Sequence, residues 1–383
     1  MTFYEKDHDD YREVVRQFIA ASVTPHVESW EEAGQIDRRI WVAATEQGIT
    51  GLQIEERHGG IGMHDWRYRM VVAEELASAG ATALSAAFTV HDDFVLPYLL
   101  DLADDDQQQR WLPPLAAGRT VAALAITEPG AGSDLAALRT TARRDGTDWV
   151  LDGQKTFISH GTQADLLVVA ASTDPSAGAR GLSLFVVEGG APGLERGRPL
   201  HKLGLRGQDT AEVYLTGCRV PVTNLLGEVG GGFGAFVRHA PRGRLAIAVS
   251  AHAAARAALR WTEDQVFGRS VFGSRVGDLQ NTRFVLAEVE TELDIARAYL
   301  ERCATRLAEG TLTAVDAAKA KWWTTELQVR STSRLLQLFG GYGCMEEYPI
   351  ARAYRDCRVQ TIFGGTTEVM KEIIGRDIAA RRR

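Results

Sequence analysis

Cysteine is scarce in this sequence, and its spacing suits neither a metal cluster nor a disulfide framework. The four cysteines stand far apart, and no two of them form a CxxC pair. This usage is typical of proteins in a reducing compartment, so we expect a cytoplasmic protein without a bound metal. The beginning of the chain is polar and acidic, and no run of ~18 apolar residues occurs, so we expect neither a signal peptide nor a membrane span.

Positive charge is not in surplus either. Lysine and arginine total 43 against 50 aspartates and glutamates, which gives a formal charge of −7. Nucleic-acid recognition needs basic surfaces that neutralise phosphates, so this composition argues against a general nucleic-acid binder. No GxGxxG sequence follows a predicted strand, so a Rossmann-type dinucleotide site has no support.

The chain does show three successive patterns of apolar residues. We predict an α-helical domain over residues 1–120, a β domain over 121–230 and a helical domain over 231–383. The predicted helices of the first domain are Tyr11–Ala21, Ile40–Gln47, Trp66–Ala79 and Asp106–Ala117. The predicted strands are Val121–Ile126, Trp149–Leu151, Leu166–Ala171, Leu182–Glu188 and Ala211–Leu215, a spacing typical of a small β-barrel or sandwich. In the third domain, Leu293, Ala296, Leu300, Cys303 and Leu307 form an amphipathic stripe.

A glycine-rich loop, Thr127–Asp134 (TEPGAGSD), follows the first predicted strand. Its proline and two glycines favour a tight turn with free backbone N–H groups, and Thr127 and Ser133 add hydroxyls. Such a loop can bind a ligand rich in carbonyl or phosphate oxygens. A plain surface turn explains the same residues equally well.

This loop resembles the flavin loop of the acyl-CoA dehydrogenase family. Four further motifs resemble that family in the same order and spacing, namely Asp152–Ser159, Arg269–Gly273, Gln337–Gly343 and Arg355–Glu368. The sequences of His201–Thr210 and Arg358–Thr366 are most similar to those of the long-chain branch. The resemblance implies an N-terminal α-helical domain, a middle β-barrel or sandwich and a C-terminal four-helix bundle. It also implies FAD as cofactor and an acyl thioester of CoA or of a carrier protein as substrate.

The resemblance also assigns cofactor contacts. Phe157 and Ser159 would flank the flavin ring, at places where the family usually has Trp and Thr. The remaining implied FAD contacts are Ile126, Thr127, Ser133, Arg269, Phe272, Gln280, Gln337, Gly341, Thr366 and Glu368. Some of these contacts come from a neighbouring subunit in the family, which implies a homo-oligomer, either a dimer or a tetramer. The implied electron acceptor is electron-transferring flavoprotein or oxygen.

Two glycines stand where the family keeps its catalytic glutamate. One is Gly364, directly before Gly365-Thr366, where a backbone N–H can still polarise the thioester carbonyl. The other is Gly243, in the string Pro241-Arg242-Gly243-Arg244 that matches the helix carrying the base in the long-chain branch. The usual carboxylate that removes the α-proton is therefore expected to be missing from both places.

Two residues are candidates to replace it. His239 precedes Gly243 by four residues and would share its helix face, although Pro241 disfavours a regular turn there and an ordinary structural histidine is the alternative. Asp92, in a segment His91-Asp92-Asp93 that resembles the lining of the acyl pocket, is either a base, a contact for a polar acyl substituent or a solvated charge at a helix end. The resemblance gives His91, Asp92, Ser133 and Arg244 as substrate contacts.

The sequence is compatible with three functions. The first is α,β-dehydrogenation of an acyl thioester with a relocated base. The second keeps the fold but changes the reaction, to a C–S lyase of the desulfinase type or a flavin hydroxylase. The third is a thioester-binding flavoprotein without turnover.

Overall fold

The computed structural model describes residues 3–382, which form a helical, then a sheet, then a second helical region. The first region contains seven α-helices: α1 Lys6–Phe18, α2 Val27–Ala33, α3 Arg39–Glu46, α4 Arg67–Ser78, α5 Thr82–Thr89, α6 Leu96–Leu102 and α7 Asp105–Ala116. The four predicted helices correspond to α1, α3, α4 and α7. A π-helical turn, Val90–Val95, joins α5 to α6.

Helix α7 shows how the first region is joined to the sheet. Asp104 caps the helix by accepting a hydrogen bond from the backbone N–H of Gln107 at 2.8 Å, and the side-chain oxygen of Gln107 accepts one from the backbone N–H of Asp104 at 3.0 Å. The buried side of α7 carries Trp111, Leu112 and Leu115, which pack in one apolar cluster with strand residues of the sheet. The capped start of α7 therefore sets the position of the first region on the sheet.

The middle region is a single sheet with the strand order β6-β7-β3-β2-β4-β5-β8, and β1 pairs with β4 in parallel. Its strands are β1 Ala122–Ala125, β2 Thr141–Asp145, β3 Asp148–Ser159, β4 Leu166–Ser172, β5 Leu182–Glu188, β6 Leu194–Pro199, β7 Thr210–Pro221 and β8 Leu225–Leu226. All five predicted strands are present. Strands β2, β6 and β8 were not predicted, and the first two carry mostly charged or exposed side chains instead of an apolar alternation.

The last region is built on three long helices. Its elements are α8 Gly232–Gly268, the short hairpin β9 Ser270–Val271 and β10 Ser274–Arg275, then α9 Gln280–Ala308, α10 Ala314–Phe339, α11 Pro349–Gln360 and α12 Thr367–Ala380. Helix α8 continues through Pro241. The predicted stripe is confirmed on α9, where Leu293, Ala296, Leu300 and Cys303 are all buried. None of the helices within residues 3–382 combines the length and the apolar character needed to cross a membrane.

All three regions meet at the carboxylate of Asp356, which is buried on α11. It accepts hydrogen bonds from the hydroxyl of Thr82 at 2.5 Å and from the backbone N–H of Leu205 at 2.7 Å. Gly204 is required beside this contact, because a Cβ atom there would lie 2.5 Å from the carbonyl oxygen of Arg355. The loop between β6 and β7 is thereby fixed between the two helical regions.

Candidate functional site

A buried ion pair anchors the inner side of the Thr127–Asp134 loop. The Nζ atom of Lys155 lies 2.7 Å from Oε1 of Glu128 and also donates to the carbonyl oxygen of Ile126 at 3.2 Å. Lys155 is 0% exposed, and burial lowers its pKa to about 8 although Glu128 acts in the opposite direction. Glu128 accepts further bonds from the backbone N–H and hydroxyl of Thr140, so the loop is held by a satisfied polar cluster.

The outer side of this loop is open and rich in donors. Thr156 donates its backbone N–H to the carbonyl oxygen of Thr127 at 2.9 Å, which places the loop beside Phe157. Phe157 is 68% exposed and has a φ of 58°, at an irregularity in the pairing of β3 with β7. Within residues 3–382, neither the hydroxyls of Thr127, Ser133 and Ser159 nor the backbone N–H of Gly132 has a hydrogen-bond partner. Strained, exposed aromatic residues with unpaired donors around them indicate a ligand site.

The loop borders a contact between α6 and α8 that contains His239. Ala131 of the loop packs in the same apolar cluster as Tyr98 and as Ala235 of α8. The Nε2 atom of His239 lies 2.9 Å from Oδ2 of Asp101, and its ring centroid lies 4.8 Å from that of Tyr98. Burial lowers the pKa of His239 more than Asp101 raises it, which favours the neutral imidazole. As the spacing predicts, His239 lies on α8 one turn before Gly243.

Two cations fix the loop that contains Gly364 and Gly365. Both glycines have positive φ values, of 67° and 102°. Arg244 donates from Nε to the carbonyl oxygen of Gly364 at 3.3 Å, and Lys321 donates from Nζ to that of Gly365 at 2.7 Å. The backbone N–H of Gly364 has no partner among the residues that the structure describes. This arrangement leaves a fixed donor free for a ligand oxygen.

Lys321 was not predicted as a site residue. It stands in an alanine-rich part of α10, where a lone lysine gives no functional signal, yet it is buried. Burial, followed by repulsion from Arg244, lowers its pKa to about 7. Arg244 itself is buried, and burial lowers its pKa too. The two side chains therefore hold the glycine loop from its inner side.

The π-helical turn places Asp92 inside the protein. Asp92 is 1% exposed, accepts a hydrogen bond from the backbone N–H of Gly51 at 3.1 Å, and lies 2.8 Å from Nδ1 of His91 and 3.3 Å from Arg69. Burial would raise the pKa of Asp92, but Arg69 and His91 together hold it below its ordinary value. Asp92 is therefore not a solvated charge at a helix end. His91 is buried with it, against Trp41.

The two residues after Asp92 lie toward α8. Asp93 accepts from Nε1 of Trp66 at 2.9 Å and from Nε of Arg242 at 3.2 Å. Phe94, which the sequence analysis did not single out, lies against Gly243. No local pattern could reveal this contact, because its partner is a glycine about 150 residues away in the chain.

A second group of predicted cofactor residues lies at the other end of α8. Arg269 donates to the carbonyl oxygen of Phe339 at 3.1 Å and lies over the ring of Tyr342, so the Arg269–Gly273 and Gln337–Gly343 motifs, the latter including Gly341, come together. Phe272 is fully exposed, and the exposed side chains of Gln280 and Gln337 have no partner within residues 3–382. Arg269 follows Gly243 by 26 residues, which corresponds to about 39 Å of helix.

The remaining predicted contacts lie at the start of α12, directly after the glycine loop. The hydroxyl of Thr366 accepts from the backbone N–H of Val369 at 3.3 Å and caps the helix. Glu368 is exposed in the first turn. The structure thus joins Thr366 and Glu368 to the Gly364 loop, and separates this whole group from the one around Arg269.

Comparisons with known proteins give matches to one family in all three regions of the chain. Family models for the N-terminal, middle and C-terminal domains of acyl-CoA dehydrogenase match residues 5–119, 123–218 and 230–379. The chain is 42% identical over 377 residues to the mitochondrial long-chain specific acyl-CoA dehydrogenase of Sus scrofa, covering 98% of this chain and 87% of that protein.

Solved structures give the same result. An acyl-CoA dehydrogenase from Geobacillus kaustophilus is 41% identical, with a TM-score of 0.95 and 98% of both chains covered. The prolyl acyl carrier protein oxidase AnaB is 28% identical, with a TM-score of 0.92 and 98% and 99% of the two chains covered. Helical, sheet and helical domains in this order, with three domain matches and these relatives, establish that the chain is an oxidoreductase of the acyl-CoA dehydrogenase family.

Proposed function

We propose that this chain is a FAD-dependent oxidoreductase that forms an α,β double bond in an acyl group bound to CoA or to a carrier protein, with a base other than the usual glutamate. The observation that carries the proposal is the free N–H of Gly364, whose carbonyl is held by Arg244. A fixed N–H next to a thioester oxygen stabilises the negative charge that develops there as the α-proton leaves. Electron-transferring flavoprotein or oxygen would accept the electrons.

The open side of the Thr127–Asp134 loop suits a flavin. A flat ring with several carbonyl oxygens and nitrogens matches the unpaired hydroxyls of Thr127, Ser133 and Ser159, and its apolar face matches the exposed ring of Phe157. When bound, FAD would accept the hydride that leaves the β-carbon. The chain's own residues would hold the thioester, remove the α-proton and keep water away.

The placement of His239 suits a general base better than the placement of Asp92 does. The imidazole is kept mainly neutral by burial, and Asp101 orients it through Nε2, which leaves Nδ1 able to accept a proton. Asp92 already has three partners and is held ionised by Arg69, so it is a weak proton acceptor. A structural role for Asp92 beneath the acyl pocket agrees with its burial.

Anaerobic titration with an acyl thioester tests the proposed function directly. Octanoyl-CoA or butanoyl-CoA should bleach the visible absorption of the purified, flavin-loaded protein. An alkyl-CoA thioether of the same length is the matched control, because it has no carbonyl oxygen for Gly364 and should leave the spectrum oxidised. A protein that retains no flavin, or whose flavin no thioester of CoA or carrier protein bleaches, would contradict the proposal.

The two separated groups of cofactor residues support a homo-oligomer. About 39 Å of helix separates Arg269 from Gly243, whose neighbour Arg244 binds the Gly364 loop, so the two groups lie at distant points of α8 and a cofactor site shared between subunits would explain both. Exposed apolar side chains surround the Arg269 group, among them Phe272, Leu279 and Phe284. A second copy of the chain would cover them.

The oligomer can be checked by sedimentation. The native protein should have two or four times the chain mass of 41.8 kDa, and Phe272→Asp should shift it toward the monomer and weaken FAD retention. Ile378→Asp, at an exposed apolar residue on α12, is the matched control and should change neither property. A native monomer that holds FAD as tightly as the oligomer would refute the shared site.

One observation favours a second candidate function. The ring of Phe94 takes the space beside Gly243, and the end of Ile247 takes the space beside Gly364, so the atoms nearest to both glycines among the described residues are apolar. A C–S lyase or a flavin hydroxylase of the same fold would have no need of one. Substrate turnover without any change in the flavin spectrum would indicate the lyase, and oxygen consumption with a supplied flavin reductant would indicate the hydroxylase.

A further inference from the structure

The tip of the Phe94 ring fills the notch that Gly243 leaves and borders Gly364. A Cβ atom on Gly243 would lie 2.5, 2.6 and 2.8 Å from the Cζ, Cε1 and Cε2 atoms of Phe94. A Cβ atom on Gly364 would lie 3.7 Å from the same Cζ and would overlap the end of Ile247. Since carbon atoms in contact normally stand about 3.5–4.0 Å apart, Gly243 leaves no room for any side chain while the ring is in place.

The ring is held in this position by polar contacts of its neighbour. Asp93 binds Trp66 and Arg69 within the first helical domain and Arg242 on α8, directly before Gly243. These buried charges join the π-helical turn to α8 on one side of the ring. Phe94 is nevertheless only half-buried, whereas His91, Asp92 and Asp93 are almost fully buried. Part of the ring therefore remains accessible.

The proposed function places the acyl group at this ring. If the N–H of Gly364 holds the thioester oxygen, the α-carbon is two bonds away from that oxygen and would lie beside this glycine, whose Cβ position stands 3.7 Å from the Cζ atom of Phe94. A hydrogen atom on the α-carbon would fit beside the ring, whereas a methyl group in its place would need the volume that the ring occupies. Close-packed protein contacts seldom accommodate an added methyl group without moving a side chain.

We propose, on the basis of this function, that Phe94 is a specificity-determining residue that excludes acyl groups branched at the α-carbon. The two glycines make room for the ring, and the ring in turn forms an apolar wall at the reacting carbons. The substrate class is therefore an acyl thioester with an unbranched α-carbon.

Binding of the unsaturated products tests the proposal without relying on turnover. Calorimetric titration of the oxidised protein with 2-butenoyl-CoA and 2-methyl-2-butenoyl-CoA, and with the corresponding octenoyl pair, gives the ratio of their dissociation constants. The wild type should prefer the unbranched ester at least tenfold, since one misplaced methyl group changes selectivity by about 10–200-fold. Phe94→Ala should lower that ratio about tenfold or more.

Phe88→Ala is the matched control. Phe88 is a buried phenylalanine on α5 that packs on Trp41, so its truncation costs stability but should leave the ratio unchanged. An unchanged ratio in Phe94→Ala would overturn the inference while the proposed function stands. Failure of the wild type to bind any of the four esters, together with an unbleached flavin, would overturn both.

A pair of alanine substitutions checks the packing itself. Gly243→Ala should lower the urea midpoint of the wild type, although alanine favours a helix over glycine, because its methyl group meets the ring. In the Phe94→Ala background the same substitution should cause no further loss. If Gly243→Ala leaves the midpoint of the wild type unchanged, the ring does not occupy the notch and the inference fails.

Discussion

His239→Ala should lower kcat for acyl-thioester oxidation by about 10²–10⁴-fold, the range expected for loss of a general base. The flavin content and the fold should survive, because the His239 ring lies at the edge of the contact between α6 and α8 rather than in the cofactor loop. In the wild type, kcat should fall as the pH is lowered through the depressed pKa of His239, because protonation removes the base. The variant should lose this acidic limb.

Substitutions of the residues around His239 distinguish a general base from a group that only lies near the site. Asp101→Asn keeps the hydrogen-bonding shape but removes the carboxylate that orients the ring, so it should show a smaller loss of kcat than His239→Ala. Arg238→Ala removes the exposed second partner of Asp101 and should change little. If His239→Ala retains both kcat and the pH profile, the residue is not the base.

Asp92 is tested by the same comparison. Asp92→Ala should abolish turnover if Asp92 is the base, and should mainly raise KM if it supports the substrate pocket. Its contacts with Gly51, His91 and Arg69 favour the second result.

Lys155→Met should destabilise the protein by about 3–5 kcal/mol, because it leaves Glu128 buried without its cationic partner. It also removes the bond from Nζ to Ile126, so the Thr127–Asp134 loop should hold flavin poorly. Urea unfolding and the flavin-to-protein ratio measure the two effects.

Glu128→Gln combined with Lys155→Met should recover most of the lost stability, because no unpaired charge then remains. Arg219→Ala, which breaks an exposed ion pair with Asp145 in the same sheet, should cost less than about 1 kcal/mol. Equal effects of the buried and the exposed substitution would show that the Lys155–Glu128 pair is not the anchor of the loop.

The elements with a clear apolar period could be predicted from the sequence, whereas those without one could not. The stripe on α9, the fully buried strand β4 and the strand β5, which is buried up to its exposed last residue Glu188, are examples of the first kind. Strand β2, with the sequence TARRD, gains its place from backbone pairing with β3 rather than from apolar side chains. No helix was predicted between residues 82 and 102, where the charged segment His91-Asp92-Asp93 interrupts the apolar residues, and the structure has α5, the π-helical turn and α6 there.

The residues of the candidate site also fall into those that could be predicted from the sequence and those that could not. Motifs such as the Thr127–Asp134 loop are local, so their residues could be named from the sequence. The contacts of Phe94 with Gly243 and of Lys321 with Gly365 join distant segments, and a glycine gives no sign of which side chain will cover it. The burial of Asp92 was also hidden, because Arg69 and Gly51 reach it only through the tertiary fold.

The carboxylate of Asp356 has a consequence for the order of assembly during synthesis. Thr82 and Leu205 leave the ribosome long before Asp356, which follows Leu205 by 151 residues. Helices α1 to α7 and the sheet can form their own cores as they emerge, but the bonds that join both to α11 have no acceptor until Asp356 has been made. The nascent chain must therefore carry its first two domains without this junction, and their mutual alignment is completed only after α11 has emerged.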